Sequence, residues 1–372
     1  MSLSLRGLLR FQESGLLVVI LVLGAFLTAF SGTVRAPLFQ QGPDGTRERV
    51  FITDANGERT PAFVERNKFL NAQNLAQLAK DTSFIAIMAV GMAFVIIAGG
   101  IDLSVGSIYA LASVAGALVL NHFGPGGPAG DIGLAGSLAG AAVCLGTALV
   151  CGLTNGGLIV SLRVHPFIVT LGTMAVFRGV AFVATQGQSV GGFPQSFRDV
   201  IRIEVGQGLS VMPLLVMIAV TVVGWIVLSR LACGRRVYAI GGNELASRFS
   251  GIRIERVKLG VYLMSALAAG IAALLSLGYY GGATSGDGQG YELSVIAAAV
   301  VGGASLSGGR GSALGVVLGA LIIQMINSGI VILGIDQNYS QIIIGSVVIA
   351  AVVLDNVNSW LARRRLQQAS EG

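Results

Sequence analysis

Long apolar runs limit how this chain can fold more than any other feature of its sequence. The first of ten such runs, Leu16–Phe30, lies in front of a long polar stretch. A helix needs about 20 apolar residues to cross a bilayer, within a range of roughly 17–25. The remaining runs cover residues 72–97, 103–121, 132–159, 166–184, 211–229, 259–279, 293–304, 313–333 and 341–357. The sequence therefore predicts an all-α polytopic membrane protein with about ten transmembrane helices, formed by residues 1–372 as a single domain.

Two of the runs are ambiguous. Leu16–Phe30 follows two arginines like the core of a signal peptide, but no small-residue cleavage site follows it, so we expect a retained first span. The run at 293–304 is short for a crossing. It leaves three possibilities open: a tilted helix, a broken helix or a segment buried in protein.

The composition and the motifs exclude several classes of protein. Charged residues make up only 11% of the chain, against roughly 25% in soluble domains. The sequence has no GxxxxGK[ST] nucleotide loop, no HExxH and no GxSxG. Its 3 cysteines and 2 histidines have no metal-binding spacing. We therefore expect no catalytic residues, no metal, no cofactor and no nucleic-acid partner, and a membrane-embedded enzyme is the unfavoured alternative of a different class.

The cations between the runs predict the orientation. With ten spans both termini lie on one side, and that side carries most of the arginines and lysines, in particular residues 6, 10, 163, 230–258, 310 and 363–365. The cations of the other side are interleaved with acids. Because positively charged loops stay in the cytoplasm, we expect both termini there.

A long polar loop at residues 35–70 is expected on the outer side. Its Asn56–Gly57 pair lies between two short apolar stretches, which is typical of a hairpin turn. A disordered connector is the alternative, because Pro61 is unfavourable within a strand.

The loop at residues 230–258 is expected in the cytoplasm and predicts a short helix. Asn243 can cap its start, and Gly251 can end it in a left-handed conformation. Leu245 and Phe249 are four residues apart and share a face. Such a helix is either a docking element or a plain re-entry turn.

Polar residues inside the runs are candidates for a translocation path. Ionisable groups within a membrane are costly and usually face a pathway or a partner. For Asp102, helix capping is the alternative role, and Arg178 could reach outward or pair with a carboxylate. Asn155, Gln324 and Asn327 fit bonding between helices better than substrate contact. The path candidates are Asp102, Ser104, Asn155, Phe167, Thr170 and Arg178.

A weak internal repeat adds to this picture. Gly99–Gly106 (GGIDLSVG) is similar to Gly302–Gly309 (GGASLSGG), and each string precedes a span rich in small residues. Glycine-rich interruptions at corresponding places in two halves are found in transporters.

Four strings resemble one family of membrane proteins. They are GMAFVIIAGGIDLSVGS (Gly91–Ser107), HPFIVTLGTMAVFRGV (His165–Val180), RRVYAIGGNELASRFSGI (Arg235–Ile252) and a longer stretch, Gly290–Ile323. In this order they are similar to permease subunits of bacterial ribose/xylose-type ABC sugar importers, within the branched-chain amino acid/ribose permease superfamily. The chain departs from that family in its first outer loop, which is extended around Arg47–Phe63.

The resemblance implies an architecture and a set of partners. The fold would be that of a type II ABC importer permease in a bacterial inner (plasma) membrane. Two permeases, as a homodimer or a pseudo-symmetric heterodimer, would form the pore, with a cytoplasmic ATPase inside and a periplasmic sugar-binding protein outside. The family's ATPase-docking loop matches position by position at Gly241, Gly242, Asn243, Glu244, Ala246, Ser247, Arg248 and Gly251.

One transporter alternative remains at this point, a related permease for branched-chain amino acids or nucleosides. The strings IDLSVGS and GGNELASRFSGI favour a sugar. The low content of charge within the spans argues against ion-coupled transport.

Overall fold

The computed structural model describes residues 11–41, 47–53, 59–205 and 209–353. Helices dominate this part of the chain and follow the apolar runs. In chain order they are α1 Phe11–Phe30, α2 Ala72–Ile97, α3 Val105–His122, α4 Leu134–Leu162, α5 Pro166–Thr185, α6 Gln195–Ile201, α7 Val211–Arg230, α8 Ala232–Gly242, α9 Glu244–Phe249, α10 Ile254–Tyr280, α11 Tyr291–Val301, α12 Ala313–Ile332 and α13 Gln337–Val353.

Seven of the described helices are long and apolar enough to cross a membrane, namely α2, α3, α4, α5, α7, α10 and α12. The remaining apolar runs form shorter apolar helical segments, namely Ser14–Phe30 within α1, together with α11 and α13. The polytopic, α-helical membrane architecture is thus confirmed, while the number of about ten crossings stays a prediction.

Helix α11 answers the question about the run at 293–304. It has 11 residues, which is roughly 16 Å of helix and about half of a bilayer core. Residues Ser294–Val300 are all buried. The segment is therefore a half-length helix enclosed by protein, where a non-helical return of the chain can be tolerated.

The core is built around α2 and α10. Every residue from Thr82 to Ile97 in α2 is buried, because α10, α12, α7 and α11 surround it. A helix that is apolar on all sides belongs in such a central place. Helix α10 packs against α2, α3 and α4 and so joins the two halves of the chain.

Close approach of α4 to α10 depends on small residues. A Cβ atom at Gly152 would lie 2.7 Å from the Cβ of Ala266 and 3.0 Å from the carbonyl oxygen of Tyr262. Only a residue without a side chain allows this separation, which is the usual mode of helix packing in membranes.

The ten strands of the described residues are short, with two to five residues each. They are β1 Thr33–Pro37, β2 Phe39–Gln41, β3 Arg47–Arg49, β4 Phe51–Thr53, β5 Arg59–Pro61, β6 Phe63–Asn67, β7 Val190–Gly191, β8 Glu204–Val205, β9 Leu209–Ser210 and β10 Gly282–Ala283. All pairings are antiparallel: β1 with β6, β2 with β3, β4 with β5, β7 with β10 and β8 with β9.

Strands β1–β6 form an arm, residues 33–67, between α1 and α2. Three two-stranded ladders meet at a junction of Leu38, Val50 and Ala62. Leu38 N donates to Ala62 O (2.8 Å), Val50 N to Leu38 O (2.9 Å) and Ala62 N to Val50 O (2.8 Å). The cyclic pattern satisfies the backbone where the three ladders join. The strands on both sides of Asn56–Gly57 pair with each other, while residues 54–58 lie outside the described part.

The arm has a period of 12 residues that the sequence analysis did not detect. The pairs Phe39 with Arg49, Phe51 with Pro61 and Phe63 with Pro37 occupy equivalent places in the three ladders. The underlying repeat is Arg-x-x-(Leu/Val/Ala)-Phe, beginning at residues 35, 47 and 59. The arm is therefore a pseudo-threefold unit and not a single hairpin.

We predict that Gly152→Val destabilises the protein, because the added side chain has to push α4 and α10 apart. Overpacking of this kind costs about 1–3 kcal/mol. Gly146→Val on the same helix is the matched control, since nothing lies within 4 Å of a Cβ at that position. Thermal unfolding of the detergent-solubilised variants measures the effect, and equal midpoints for both variants would contradict the packing argument.

Candidate functional site

The short helix α9 is built by the residues that the sequence singles out. The Asn243 side chain accepts a hydrogen bond from Ala246 N at 2.9 Å and caps the start of the helix. Gly251 follows the end with φ +81°, and Ile252 N donates to Ser247 O at 3.1 Å. Both predicted helix ends are confirmed, because a left-handed glycine permits this closing hydrogen bond.

No residue of the described part of the chain covers the apolar side of α9. Leu245 is 64% and Phe249 83% exposed, whereas Ser247 on the other side is buried. Large apolar side chains exposed at neighbouring positions usually mark a contact with another molecule. The geometry therefore fits a docking element better than a plain re-entry turn.

Two ion pairs hold α9 against the first turns of α10. Lys258 Nζ lies 2.8 Å from Glu244 Oε2, and Arg248 Nη2 lies 3.2 Å from Glu255 Oε1. Between α9, the start of α10 and the α4–α5 turn lies a cavity of about 410 Å³, to which Arg163 contributes. The two ion pairs therefore attach α9 to α10, the helix that joins the two halves.

Helix α8 ends in a tight backbone junction. Gly241 contacts the carbonyl oxygen of Ile97 at the end of α2, and it also contacts Gly309 in the α11–α12 loop. Gly309 N in turn donates to Ile97 O at 2.8 Å. Main chains touch directly here, because no side chain separates them. A Cβ atom at the neighbouring Gly242 would have no other atom within 4 Å.

The internal repeat is visible as two similar helix ends. Gly99 (φ +80°) follows α2, and Gly100 N donates to Val95 O. Gly303 (φ +93°) follows α11, and Ala304 N donates to Ala299 O. The same closing motif thus occurs twice, displaced by one position from the alignment of the two glycine pairs in the sequence.

Asp102 lies inside the protein, in the non-helical break between α2 and α3. Its carboxylate is 0% exposed and accepts from Ser104 N (3.0 Å), Ser104 Oγ (2.6 Å) and Ser265 Oγ (3.0 Å). Ser265 is about 16 Å along α10 from the start of that helix. The break therefore lies deep within the protein. Asp102 stabilises it by accepting hydrogen bonds from N–H and O–H groups that have no water to bond.

The same network extends to α4 and α5. Asn155 Nδ2 donates to Ser104 Oγ at 2.7 Å, and its Oδ1 accepts from Thr173 Oγ1 at 2.7 Å. Thr170 Oγ1 and the Tyr262 hydroxyl both reach Ile101 O, each at 3.4 Å. Four helices thus meet at one buried polar cluster. Of the path candidates, the structure brings Asp102, Ser104, Asn155 and Thr170 together.

Arg178 lies apart from this cluster. Its Nη1 donates to Ser285 O (2.8 Å) and Asp287 O (2.6 Å) in the loop between α10 and α11. The cation therefore holds the loop that leads into the half-length helix. This contact with carbonyl oxygens differs from both alternatives that the sequence left open.

The remaining candidates have separate places. Phe167 is 44% exposed on α5 and outside the cluster. Gln324 Nε2 donates to Asp81 O and links α12 to α2, while Asn327 Oδ1 accepts from Ser340 Oγ and links α12 to α13, so both amides join helices as expected. Sequence reasoning did not identify Thr173, Tyr262 and Ser265, because a lone polar residue in an apolar run carries no sign of its distant partner.

Comparison with known proteins gives one family match. The profile of the branched-chain amino acid transport system / permease component family covers residues 74–352. The arm lies outside the matched range. No solved structure matches the chain.

Curated relatives match over most of their length. The ribose import permease protein of Escherichia coli strain K12 is 37% identical over 290 residues, which cover 77% of this chain and 87% of that protein. The D-allose transport system permease protein of the same strain is 37% identical over 292 residues (78% and 86%). The ribose import permease protein of Bacillus subtilis strain 168 is 38% identical over 298 residues (78% and 87%).

We predict that Gly241→Val loosens the junction between α8, α2 and the α11–α12 loop. The new side chain would collide with the carbonyl oxygen of Ile97, and the Gly309 N to Ile97 O hydrogen bond would open. Gly242→Val is the adjacent control. Hydrogen exchange of the peptide that contains Gly309 should be faster in the first variant only, and unchanged exchange in both would show that the junction is not close-packed.

Proposed function

The chain belongs to the branched-chain amino acid transport system / permease component family, and we propose that it is the membrane-spanning permease subunit of an ATP-binding-cassette importer for a monosaccharide. The supporting observation is the identity of 37–38% with ribose and allose permeases over more than three quarters of the chain. It works with an ATPase and a soluble substrate-binding protein, and two permease subunits enclose the path. The chain itself carries no ATP-hydrolysing site.

The protein lies in a bacterial inner membrane, with both termini on the cytoplasmic side. The arm then faces the outer side, and α8 and α9 face the ATPase. The excess of cations in residues 230–258 supports this orientation, because cationic loops are retained on the inner side.

The proposed mechanism begins at α9. Leu245 and Phe249 fill a groove on the ATPase, and the ion pairs of Glu244 and Arg248 pass the movement to α10. The Gly241 junction passes it to the end of α2 and to the α11–α12 loop. Both routes lead to the break around Asp102, because that break begins at the end of α2 and is bonded to α10.

The buried polar cluster suits an uncharged polyhydroxy substrate. The side chains that meet there are hydroxyls, one amide and one carboxylate, which can exchange hydrogen bonds with a sugar. In the closed protein these groups satisfy each other, which avoids the cost of unpaired polar groups. We place Asp102, Ser104, Asn155 and Thr170 beside the translocation path, with Arg178 holding the loop at its outer end.

Uptake by the reconstituted importer tests the proposed function. Proteoliposomes that contain the permease and its ATPase, with binding protein added, should accumulate radiolabelled ribose or allose when ATP is supplied. Leucine and a nucleoside serve as competing substrates. Accumulation of either of these without any sugar would overturn the monosaccharide assignment.

We predict that Leu245→Asp combined with Phe249→Asp abolishes both ATPase retention and transport. The double change places two charges in a desolvated groove, which costs several kcal/mol per ion, while insertion is unaffected because α9 lies outside the spans. Leu245→Met with Phe249→Leu is the control that keeps the anchors apolar. Co-purification with the ATPase measures docking, and wild-type retention of the double-Asp variant would place docking elsewhere.

We predict that the native thiol of Cys233 is labelled from the cytoplasmic side. This cysteine is exposed, whereas Cys144 and Cys151 are buried. A membrane-impermeant maleimide should therefore label inside-out vesicles and spare intact cells. In a Cys233→Ser background, Thr53→Cys on the arm should show the reverse. Labelling of both positions from the same side would refute the proposed orientation.

A further inference from the structure

The arm presents two different faces. Directly opposed residues of an antiparallel pair lie on one face, and successive residues alternate between faces. Val34 and Ala36 of β1 and their partner strand residue Arg66 line a cavity of about 510 Å³ with Asn74 of α2 and Tyr279 of α10. In the β1–β6 ladder this inner face therefore lies over the ends of the membrane helices.

The opposite face carries the repeated phenylalanines. Phe39, Phe51 and Phe63 occupy equivalent positions next to the junction and are 50%, 52% and 57% exposed. Three large apolar side chains are thus exposed at equivalent places of the three ladders. We call this surface the phenylalanine face. It consists of residues 39, 51 and 63 and the residues that lie on the same face of the three ladders.

The surroundings of this patch are cationic. Arg35, Arg49 and Arg59 lie on the same face by alternation and are exposed, with Glu65 as the acid among the described side chains there. Aromatic residues and arginine are the side chains most enriched in the centres of protein interfaces. A complementary partner has an apolar patch surrounded by carboxylates.

We propose that the phenylalanine face docks the soluble binding protein that delivers the sugar, an inference that rests on the proposed function and orientation. The face points away from the side that covers the helix ends, so it points into the outer solution and not into the bilayer. A second copy of the arm would bring like charges together, which disfavours self-association. The arm lies outside the matched range of the permease family, so it adds a contact without altering the transport core.

Binding of the soluble protein to the permease in nanodiscs tests the proposal. The probe is the binding protein that supports uptake together with this chain, and surface plasmon resonance gives the dissociation constant. The triple variant Phe39→Ser, Phe51→Ser, Phe63→Ser should bind on the order of tenfold more weakly or worse, as expected for loss of central aromatic anchors. Ile52→Ser, which changes an exposed apolar residue on the face opposite Phe51 in the β4–β5 ladder, is the control and should bind like wild type.

A second variant keeps the test valid if the triple variant fails to fold its arm. Arg49→Glu with Arg59→Glu changes only exposed charges. It should also weaken binding, and the difference from wild type should shrink at high salt, because surface electrostatics are screened. Wild-type affinity in both arm variants would overturn the docking inference.

The outcomes separate this inference from the proposed function. If the wild-type importer accumulates no monosaccharide, the proposed function fails. If wild type transports and both arm variants bind and transport normally, only the docking inference fails. Quenching of a fluorophore on Thr53→Cys by spin-labelled lipids would place the face on the bilayer and would also overturn it.

Discussion

Backbone groups inside a bilayer have no water to bond, and this constraint is most severe at the break between α2 and α3. The chain leaves helical geometry deep in its core, where unpaired donors and acceptors would cost several kcal/mol each. Asp102 and Ser104 meet the constraint with bonds to Ser265 and Asn155. Helices α4, α5 and α10 supply partners to the break through Asn155, Thr170 and Ser265.

The half-length helix α11 is a second place where helical geometry is interrupted, in the second half of the chain. Its first turn packs against α3, with the rings of Tyr109 and Tyr291 5.4 Å apart, and Arg178 bonds the loop in front of it. At its other end the loop after Gly303 touches Gly241 and Ile97. Two interrupted segments are thus joined to the end of α8 by main-chain contacts. Such contacts transmit movement well, because no flexible side chain lies between the parts.

Much of the architecture could be predicted from local signals. Apolar runs located the helices, and Asn243 and Gly251 located the ends of α9, because capping depends on residues within one turn. The pseudo-threefold arm had a signal as well, the repeat that begins at Arg35, yet a single Asn-Gly pair predicts only one hairpin. The half-length helix was left open, since an apolar run of that length fits a tilted helix, a broken helix or a segment buried in protein.

The sequence by itself determined that this chain is a polytopic membrane protein, where its helices lie and where the short helix α9 begins and ends. These properties depend on hydrophobicity summed over a segment or on neighbours within a few residues. Only the tertiary structure decided that Asp102 bonds a serine 163 positions away, that Arg178 binds carbonyl oxygens and that three phenylalanines share one face. The physical reason is that hydrogen-bond partners and strand registers are chosen between segments distant in sequence, and no local pattern records which of many possible partners is brought within reach.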